Sequence, residues 1–390
     1  MANIFVAFYN GIVDEENSNA IPIFYESFIE GLDKAGNNVY IVTHPYFGMD
    51  FGEISEELKH QIQGFKPDIC FLFNNSFYDI SDVVDCPIVI YEVDSPVYFS
   101  NKDNLRKNPE RYIYFVCQSG SIDTICHLYG VPRKKIFHVP LFSEIHAEDM
   151  EQTTNISFIG SKMGANPQSL PNIFCGTNPS KEERKMYENC VKEIRDNPQI
   201  TTTELICKLH VMSEKVALQL VVPEILMYIS NEKRIHVLSA IVDFGLELYG
   251  TENWAKDYYY DYRLNLAYNS KRVYSLAHNQ KIYNSSKIGI SISHAQATSG
   301  FPWRTMDIMA SNACLVTDYH TDFDEIFRGL KLPVYTSEYE AREICQRLLR
   351  DEYQRKEIVA QCQEIIENRY RFKHLLRRME EYSNVIMHTD

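Results

Sequence analysis

Apolar and polar residues alternate along positions 1–145 in blocks that predict strands and helices in turn. Six short apolar runs predict strands: Ile4–Tyr9, Val39–Thr43, Asp68–Phe73, Ile88–Tyr91, Tyr112–Cys117 and Ile136–Leu141. Helical spacing of apolar residues occupies three segments between them: Ile21–Ala35, Ile54–Gly64 and Ser121–Tyr129. Apolar strands separated by helices are typical of a parallel sheet covered on both faces. This part therefore predicts a Rossmann-like domain.

A polar linker, His146–Thr154, leads to a second α/β pattern. Its predicted strands are Asn155–Ile159, Leu246–Tyr249, Ile288–Ser293 and Cys314–Thr317. We expect one domain at 1–150, a second at 151–370 with a helical insertion at about 181–244, and a C-terminal helix at 371–390 that returns to the first domain. Because ligands bind outside the carboxyl ends of parallel strands, two such domains predict a cleft lined by both sets of strand ends.

Composition narrows the class of protein. The 390 residues carry a formal net charge of -14, which argues against a nucleic-acid-binding protein. The ten cysteines are scattered without a C-x-x-C pair, so we expect reduced thiols and no zinc site. No uncharged apolar run is long enough for a spanning helix, and the N-terminus has no basic leader. These features predict a cytoplasmic protein.

The most informative segment is a strand, a polar loop ending at Gly300, and a helix opened by Pro302. A helix N-terminus attracts anions, and glycine lets backbone approach them closely. Arg304 and Asp307 lie three residues apart, so they share one helix face. That face can offer a cation to a diphosphate and a carboxylate to ribose hydroxyls. The alternative is an ordinary helix start with a surface ion pair.

From Gln280 to Met379 the chain resembles the C-terminal domain of CgeB-like glycosyltransferases, a branch of the GT-B superfamily. The pieces that carry the resemblance are, in order, Lys281–Ile292, Arg304–Ser311, Leu315–Tyr319, Asp324–Phe327, Val334–Ser337 and Asn368–Phe372. The resemblance implies two Rossmann-like domains and transfer of a sugar from a nucleotide-sugar to a hydroxyl of a glycan or glycoconjugate. It also implies that no metal or other cofactor is needed, and a setting in bacterial polysaccharide biosynthesis.

The same resemblance assigns roles around the donor. Asp307 would face the cleft and bind the nucleotide ribose, while Ser299, Gly300 and Phe301 would lie by the donor phosphates and sugar. Retaining relatives usually have a glutamate at about the position of Ser299, so a sugar contact made by that glutamate is missing or supplied from elsewhere. Arg304 would help to stabilise the departing diphosphate.

Further donor contacts are expected upstream of this segment. Gly160, Ser161 and Lys162 follow the first strand of the second domain, where GT-B enzymes face the phosphates. Arg234 and Gly250 lie in a looser match to the family's helix and strand before a Y-G-x-x-x-W-like turn. Lys162 or Arg234 would neutralise the diphosphate, although a solvated loop lysine is the simpler interpretation of Lys162. His278 is a further candidate for a donor contact.

The acceptor side is predicted at the strand ends of the first domain. Glu92 and Asp94 follow an apolar strand, so their carboxylates should point toward the cleft. Asp94 would deprotonate the acceptor hydroxyl in an inverting enzyme, whereas front-face retention stays open without that base. The alternative is that Asp94 only shapes the turn before Pro96. Asn10 and Gly11 form another loop on this side.

Two other functions and one further partner are compatible with the sequence. A nucleotide-sugar epimerase of GT-B fold would share the donor site but use no acceptor. A non-catalytic two-domain binding protein would bind the same ligand without turnover. The basic segment Arg369–Arg378 offers peripheral contact with an anionic membrane or a lipid-linked glycan acceptor, and a solvated helix face is the alternative.

Overall fold

In the computed structural model, the described residues are 1–11, 20–46, 48–162, 218–256, 261–271 and 275–388, with 180, 181, 184, 185, 188 and 192. The chain divides into two compact units. Unit 1 comprises Met1–Glu144, Tyr274–Leu276 and Ile366–Asp390, and unit 2 comprises Ile145–Val273 and Ala277–Ile365.

Unit 1 contains a parallel sheet of six strands: β1 (Asn3–Tyr9), β2 (Asn38–His44), β3 (Ile69–Phe73), β4 (Ile88–Tyr91), β5 (Tyr112–Val116) and β6 (Ile136–His138). The strand order is β2-β1-β3-β4-β5-β6. The described helices that precede β6 along the chain are α1 (Ile23–Lys34), α2 (Glu56–Phe65), α3 (Lys102–Lys107) and α4 (Gly120–Tyr129). Each predicted strand is present, with the sixth shorter than predicted. β3 and β4 are buried along their whole length, as expected for strands covered on both faces.

Unit 2 contains a second parallel sheet of five strands in the order β11-β10-β9-β7-β8. The strands are β7 (Thr154–Ile159), β8 (Leu246–Tyr249), β9 (Ser286–Ser291), β10 (Cys314–Asp318) and β11 (Val334–Tyr335). The described helices that follow β7 along the chain are α5 (Leu218–Ile241), α6 (Asn253–Lys256), α7 (Tyr262–Ala267), α8 (Leu276–Asn284), α9 (Arg304–Ala310), α10 (Asp322–Ile326), α11 (Glu338–Arg350), α12 (Glu352–Arg369) and α13 (Phe372–Ser383).

The last of these helices, α13, belongs to unit 1. Its Phe372 ring packs against Phe28 of α1, with ring centroids 5.8 Å apart, and against Phe142, at 5.3 Å. Half of the predicted insertion at about 181–244 lies outside the described residues, and its described part is mainly α5. None of the helices in the described ranges combines the length and apolar character that a membrane crossing requires.

Close packing of α9 on β9 places the start of that helix at the carboxyl end of the sheet in unit 2. Gly289 permits this approach, because a Cβ at that position would lie 2.7 Å from Cγ2 of Ile308. The hydroxyls of Ser291 and Thr305 also meet at 3.0 Å in the buried interface. Arg304, the first residue of α9, donates from Nη1 to the carbonyl of Ile292 at 2.9 Å. This bond fixes where the arginine lies.

Candidate functional site

Two glycines hold the backbone together where β7 and β8 end. The φ angle of Gly250 is +142°, and a Cβ there would lie 2.2 Å from the carbonyl oxygen of Gly160. Only glycine fits this position, because both the φ angle and the contact exclude a side chain. The same Gly160 carbonyl accepts a hydrogen bond from Nε1 of Trp254 at 2.8 Å. The loop after β7 is therefore fixed against the end of β8.

Two arginines pack against a single aromatic ring at this edge. The Cζ atoms of Arg234 and Arg304 lie 6.0 and 5.2 Å from the centroid of Phe158. Arg234 is only 2% exposed and donates from Nη1 to the carbonyl of Ser161. Gly160 packs closely against them, since a Cβ there would lie 2.6 Å from Cζ of Phe158 and 3.3 Å from Nη2 of Arg304. We call these two residues the arginine pair.

No carboxylate among the described residues is bonded directly to the arginine pair. Within the described ranges, neither guanidinium forms an ion pair with a carboxylate, and Nε of Arg234 has no hydrogen-bond partner. Burial and the neighbouring Arg304 lower the pKa of Arg234 to about 9, and burial also lowers the pKa of Arg304. Burial, followed by repulsion from Arg234, Lys233 and Arg304, lowers the pKa of His294 to about 3. The region therefore favours negative charge.

Asp318, at the end of β10, is a carboxylate close enough to raise the pKa of both arginines, but its oxygens are bonded to other groups. It is 4% exposed and bonds to Nζ of Lys233, while its Oδ2 lies 3.2 Å from Nε2 of His320. Its Oδ1 accepts from the hydroxyl of Ser293 at 3.1 Å. Burial alone would raise the pKa of Asp318, but Lys233 and His320 hold it well below the usual range.

The sequence interpretation gave Asp318 and its partners no role in the site. The signal was present, because Asp318 and His320 follow an apolar strand at the carboxyl edge where ligands bind. Lys233 could not be linked to them from sequence, since it comes from a helix far away in the chain. This network matters because it directs the Asp318 carboxylate to Lys233 and leaves neither arginine bonded to it.

The remaining donor-side candidates lie around α9 and α10. Ser299 donates from Oγ to Oδ2 of Asp322 at 3.2 Å, and the amide of Asp322 donates back to the Ser299 carbonyl at 3.0 Å. Phe301 is 6% exposed and stacks on Phe323, with ring centroids 4.8 Å apart. Gly300, between them, is buried. These contacts fix the loop before α9 to α10.

Asp307 differs from the sequence expectation, which placed its side chain open to the cleft. It is 2% exposed, and its Oδ1 accepts a hydrogen bond from the indole Nε1 of Trp303 at 2.8 Å. The indole lies one helical turn before the carboxylate and covers it. Asp307 is thus held in a fixed orientation close enough to Arg304 to raise that residue's pKa, against the larger effect of burial.

Two further candidates, Lys162 and His278, differ in solvent exposure. Lys162 is 5% exposed, and its carbonyl accepts from Oγ1 of Thr251 at 3.5 Å and from Nδ2 of Asn253 at 3.4 Å. It is therefore not the solvated loop lysine of the simpler interpretation. His278 is exposed on α8. No group of three or more His, Cys, Asp or Glu side chains in the described part of the chain could hold a metal ion.

In unit 1, Asn74 shapes the turn that carries Asp94. Its Oδ1 accepts from the amides of Val93 and Asp94 at 2.9 and 3.0 Å, and its Nδ2 donates to Oδ2 of Asp94 at 2.9 Å. Asn74 has a φ angle of +53°, a conformation that asparagine tolerates better than most residues. The Asn74-Asn75 pair directly after an apolar strand was a signal for this turn that the sequence interpretation did not use.

Glu92, predicted to face the acceptor, is 1% exposed. Its carboxylate accepts from the amide of Cys117 at 3.1 Å, from Nε2 of Gln118 at 3.3 Å and from the hydroxyl of Ser121. Burial outweighs these bonds and raises the pKa of Glu92 to about 8. The residue connects the end of β4 to the start of α4, so it positions the turn that carries Asp94.

The other acceptor-side candidates lie after β1. Nδ2 of Asn10 donates to the carbonyl of Ala20 at 2.9 Å, and its backbone amide donates to the carbonyl of His44 at 2.9 Å. Gly11 is exposed. Asn10 therefore has a role in holding this loop to β2 and to the start of the next segment.

The basic C-terminal segment is partly structural. Arg371 is 5% exposed, donates from Nη1 to the carbonyl of Ser143 at 2.8 Å and pairs with Glu367. Arg369, at the end of α12, and Lys373 and Arg377, on α13, are exposed. Membrane contact through this segment stays a prediction that would rest on these three exposed residues.

The raised pKa of Glu92 predicts a dependence of stability on pH. An unfolded glutamate titrates near about 4.3, so between that pH and about 8 the unfolded state has released a proton that the folded state keeps. The free energy of unfolding should therefore fall as the pH rises through this window, by at most about 1.4 kcal/mol per pH unit. Glu92→Gln mimics the protonated form and should flatten the decline measured by urea unfolding at pH 5–8.

Asp103→Asn, a change at an exposed carboxylate on α3, serves as the control and should leave the wild-type slope in place. An equal slope for Glu92→Gln and wild type would contradict a buried, proton-holding Glu92.

The comparisons with known proteins agree with this architecture. Residues 232–381 match the sequence pattern of a family described as "Glycosyl transferase-like". No curated protein matches the chain in sequence. Anabaena Alr3699/HepE in complex with UDP and glucose has a TM-score of 0.50 at 10% identity, over 98% of this chain and 99% of that chain. T4 phage BGT in complex with UDP and Mn²⁺ has a TM-score of 0.51 at 11% identity, also over 98% and 99%.

At such low identity the two structures show the fold, which is GT-B with two Rossmann-like parallel sheets. The segment that is similar to the glycosyl transferase-like family contains Arg234, Arg304, Asp307 and Asp318. The expected resemblance to GT-B glycosyltransferases and the expected enzyme class are confirmed.

Proposed function

We propose that this chain transfers a sugar from a nucleoside-diphosphate sugar to a hydroxyl of a glycan or glycoconjugate, without a metal ion. The observation that carries the proposal is the arginine pair, two cations on one ring with no carboxylate bound to either among the described residues. The family match supports glycosyl transfer, and the UDP bound in both similar structures supports a nucleotide-linked donor.

Physical chemistry favours a diphosphate at the arginine pair. Two like charges packed close together repel each other, and burial removes the water that would screen them. A ligand with two adjacent negative phosphates offsets the repulsion between the guanidinium groups and replaces the water that burial removes. Its oxygen atoms also accept hydrogen bonds from the planar guanidinium groups. Among the described residues, Nε of Arg234 has no hydrogen-bond partner, so it supplies a donor for a phosphate oxygen.

The same charges serve catalysis as well as binding. Negative charge builds up on the diphosphate as its bond to the sugar breaks, and fixed cations in a water-poor site stabilise that charge. We assign this role to Arg304 and Arg234, with Lys162 and Ser161 beside them. Because these cations supply the stabilisation, the proposed reaction needs no divalent ion.

Asp307 is the proposed ribose-binding carboxylate, with its orientation set by Trp303. Ser299, Gly300 and Phe301 are the proposed boundary of the sugar, and Asp322 holds that loop in place.

Asp94 is the proposed base that removes the proton from the acceptor hydroxyl. Asn74 binds one carboxylate oxygen and the two backbone amides of the turn, so the side chain is oriented before the acceptor arrives. An enzyme with this base would invert the anomeric centre. Asn10 and Gly11 are proposed acceptor contacts, and the proposed setting is polysaccharide biosynthesis in the bacterial cytoplasm.

The proposal is tested by following the products made from UDP-, GDP-, TDP- and CMP-sugars with a panel of glycan and lipid-linked glycan acceptors. We expect free nucleotide and a glycosylated acceptor, at rates unchanged within about twofold by EDTA. Asp94→Asn should lower kcat by about 10²–10⁴-fold, with donor affinity unchanged. An epimerised donor in the absence of acceptor, or loss of activity with EDTA, would contradict the proposal.

A binding measurement tests the arginine pair directly. Arg304→Met and Arg234→Met should each weaken binding of the nucleoside diphosphate by roughly 10–100-fold, because each removes a charge-assisted bond worth about 1.5–3 kcal/mol. Arg263→Met is the matched control in the same unit, since Arg263 is paired with Asp243 and Asp261. Calorimetry showing wild-type affinity in both test variants would refute the assignment.

A further inference from the structure

Two cysteines in unit 1 have their sulfur atoms in contact. Sγ of Cys70, in β3, lies 3.6 Å from Sγ of Cys86, in the loop before β4, and both are free thiols. The amide of Cys70 donates to the carbonyl of Pro87 at 3.0 Å, so the backbone keeps the two segments side by side. Among the cysteines that the structure describes, no other pair of sulfurs is in contact.

The two thiols differ in solvent exposure. Cys70 is completely buried, whereas Cys86 is partly exposed. A small oxidant in solvent therefore reaches Cys86 first, and Cys70 lies behind it as the neighbouring thiol. This is the arrangement expected of an attacking cysteine and a resolving cysteine.

The charge near Cys86 favours its thiolate. Nη1 of Arg111 donates to the Cys86 carbonyl at 3.2 Å, and Nη2 donates to the carbonyl of Val84 at 2.6 Å. Contact with Cys70 and the positive charge of Arg111 lower the pKa of Cys86, against the effect of burial. The contact with Cys86 and burial raise the pKa of Cys70, which stays a thiol.

We propose that Cys70 and Cys86 form a redox-active dithiol that a peroxide converts to an intramolecular disulfide. The Cys86 thiolate attacks one peroxide oxygen, the O–O bond breaks, and the released hydroxide takes a proton to leave as water. Sγ of Cys70 then attacks the resulting sulfenic sulfur, and its proton leaves with the hydroxyl as a second water. Two thiols are oxidised and one hydrogen peroxide is reduced to two waters.

The local backbone permits this bond. A disulfide requires the sulfurs to approach to about 2.05 Å, and Cys86 lies in a loop outside the strands, which can supply the movement. The closed ring would span residues 70–86 and therefore include Asn74, which orients Asp94 in the native turn. The link would fix the ends of the segment that carries this asparagine. This inference is independent of the proposed transferase reaction.

The test treats the folded full-length protein with hydrogen peroxide, blocks the remaining thiols and maps peptides without reduction. We expect one cross-linked peptide pair, Cys70 with Cys86, and a rise in Tm of roughly 5 °C that dithiothreitol reverses. Cys86→Ser should abolish both the link and the shift. Cys126→Ser is the matched control: it removes a half-buried thiol whose pKa is raised mainly by burial, so both responses should remain.

Three results would overturn the inference. They are oxidation of Cys86 to sulfinic acid with Cys70 still free, reaction of Cys86 no faster than Cys126, and a link between other cysteines. Cys70→Ala gives a second measurement if Cys86→Ser folds poorly. In that variant, Cys86 should accumulate as sulfenic acid, which a dimedone probe detects.

Discussion

The arrangement in unit 2 depends on two guanidinium groups held against the ring of Phe158 with no carboxylate among the described residues bonded to either of them. Such a pair is costly in an empty protein, because like charges repel more strongly where water is excluded. Proteins generally pair buried charges, so an unpaired set at the carboxyl edge of a sheet indicates a site for an anion. Asp318 raises the pKa of both arginines but is bonded to neither guanidinium, since Lys233 and His320 already bind it.

Small residues and backbone bonds make this arrangement rigid. Gly289 lets α9 pack closely on β9, and Gly250 lets the loop after β7 lie against the end of β8. Arg304 is then fixed by the carbonyl of Ile292, and Arg234 by that of Ser161. Charges that are already in position before the ligand arrives need little reorganisation when negative charge develops on a leaving group. Close packing of α9 and of the loop after β7 therefore holds the two cations in the positions that the proposed chemistry requires.

All the strands except β11 could be predicted from sequence because they contain short runs rich in apolar residues. Burial of β3 and β4 along their whole length is what continuous apolar runs require. The environment of the site residues could not be predicted from sequence. Asp307 shares a helix face with Arg304, yet the indole of Trp303 covers it, and no periodicity predicts the direction of that ring. Glu92 likewise follows a strand end but turns toward the start of α4. Side-chain orientation at a sheet edge depends on neighbours that are distant in sequence, so the assigned roles stay predictions.

The most direct test of the arginine pair is a crystal structure of the protein with a bound nucleoside diphosphate. The account predicts phosphate oxygens at about 2.7–2.9 Å from guanidinium nitrogens of both Arg304 and Arg234, with the phosphates beside Gly160. A diphosphate bound elsewhere, with the two arginines still packed on Phe158 and touching no phosphate, would contradict it.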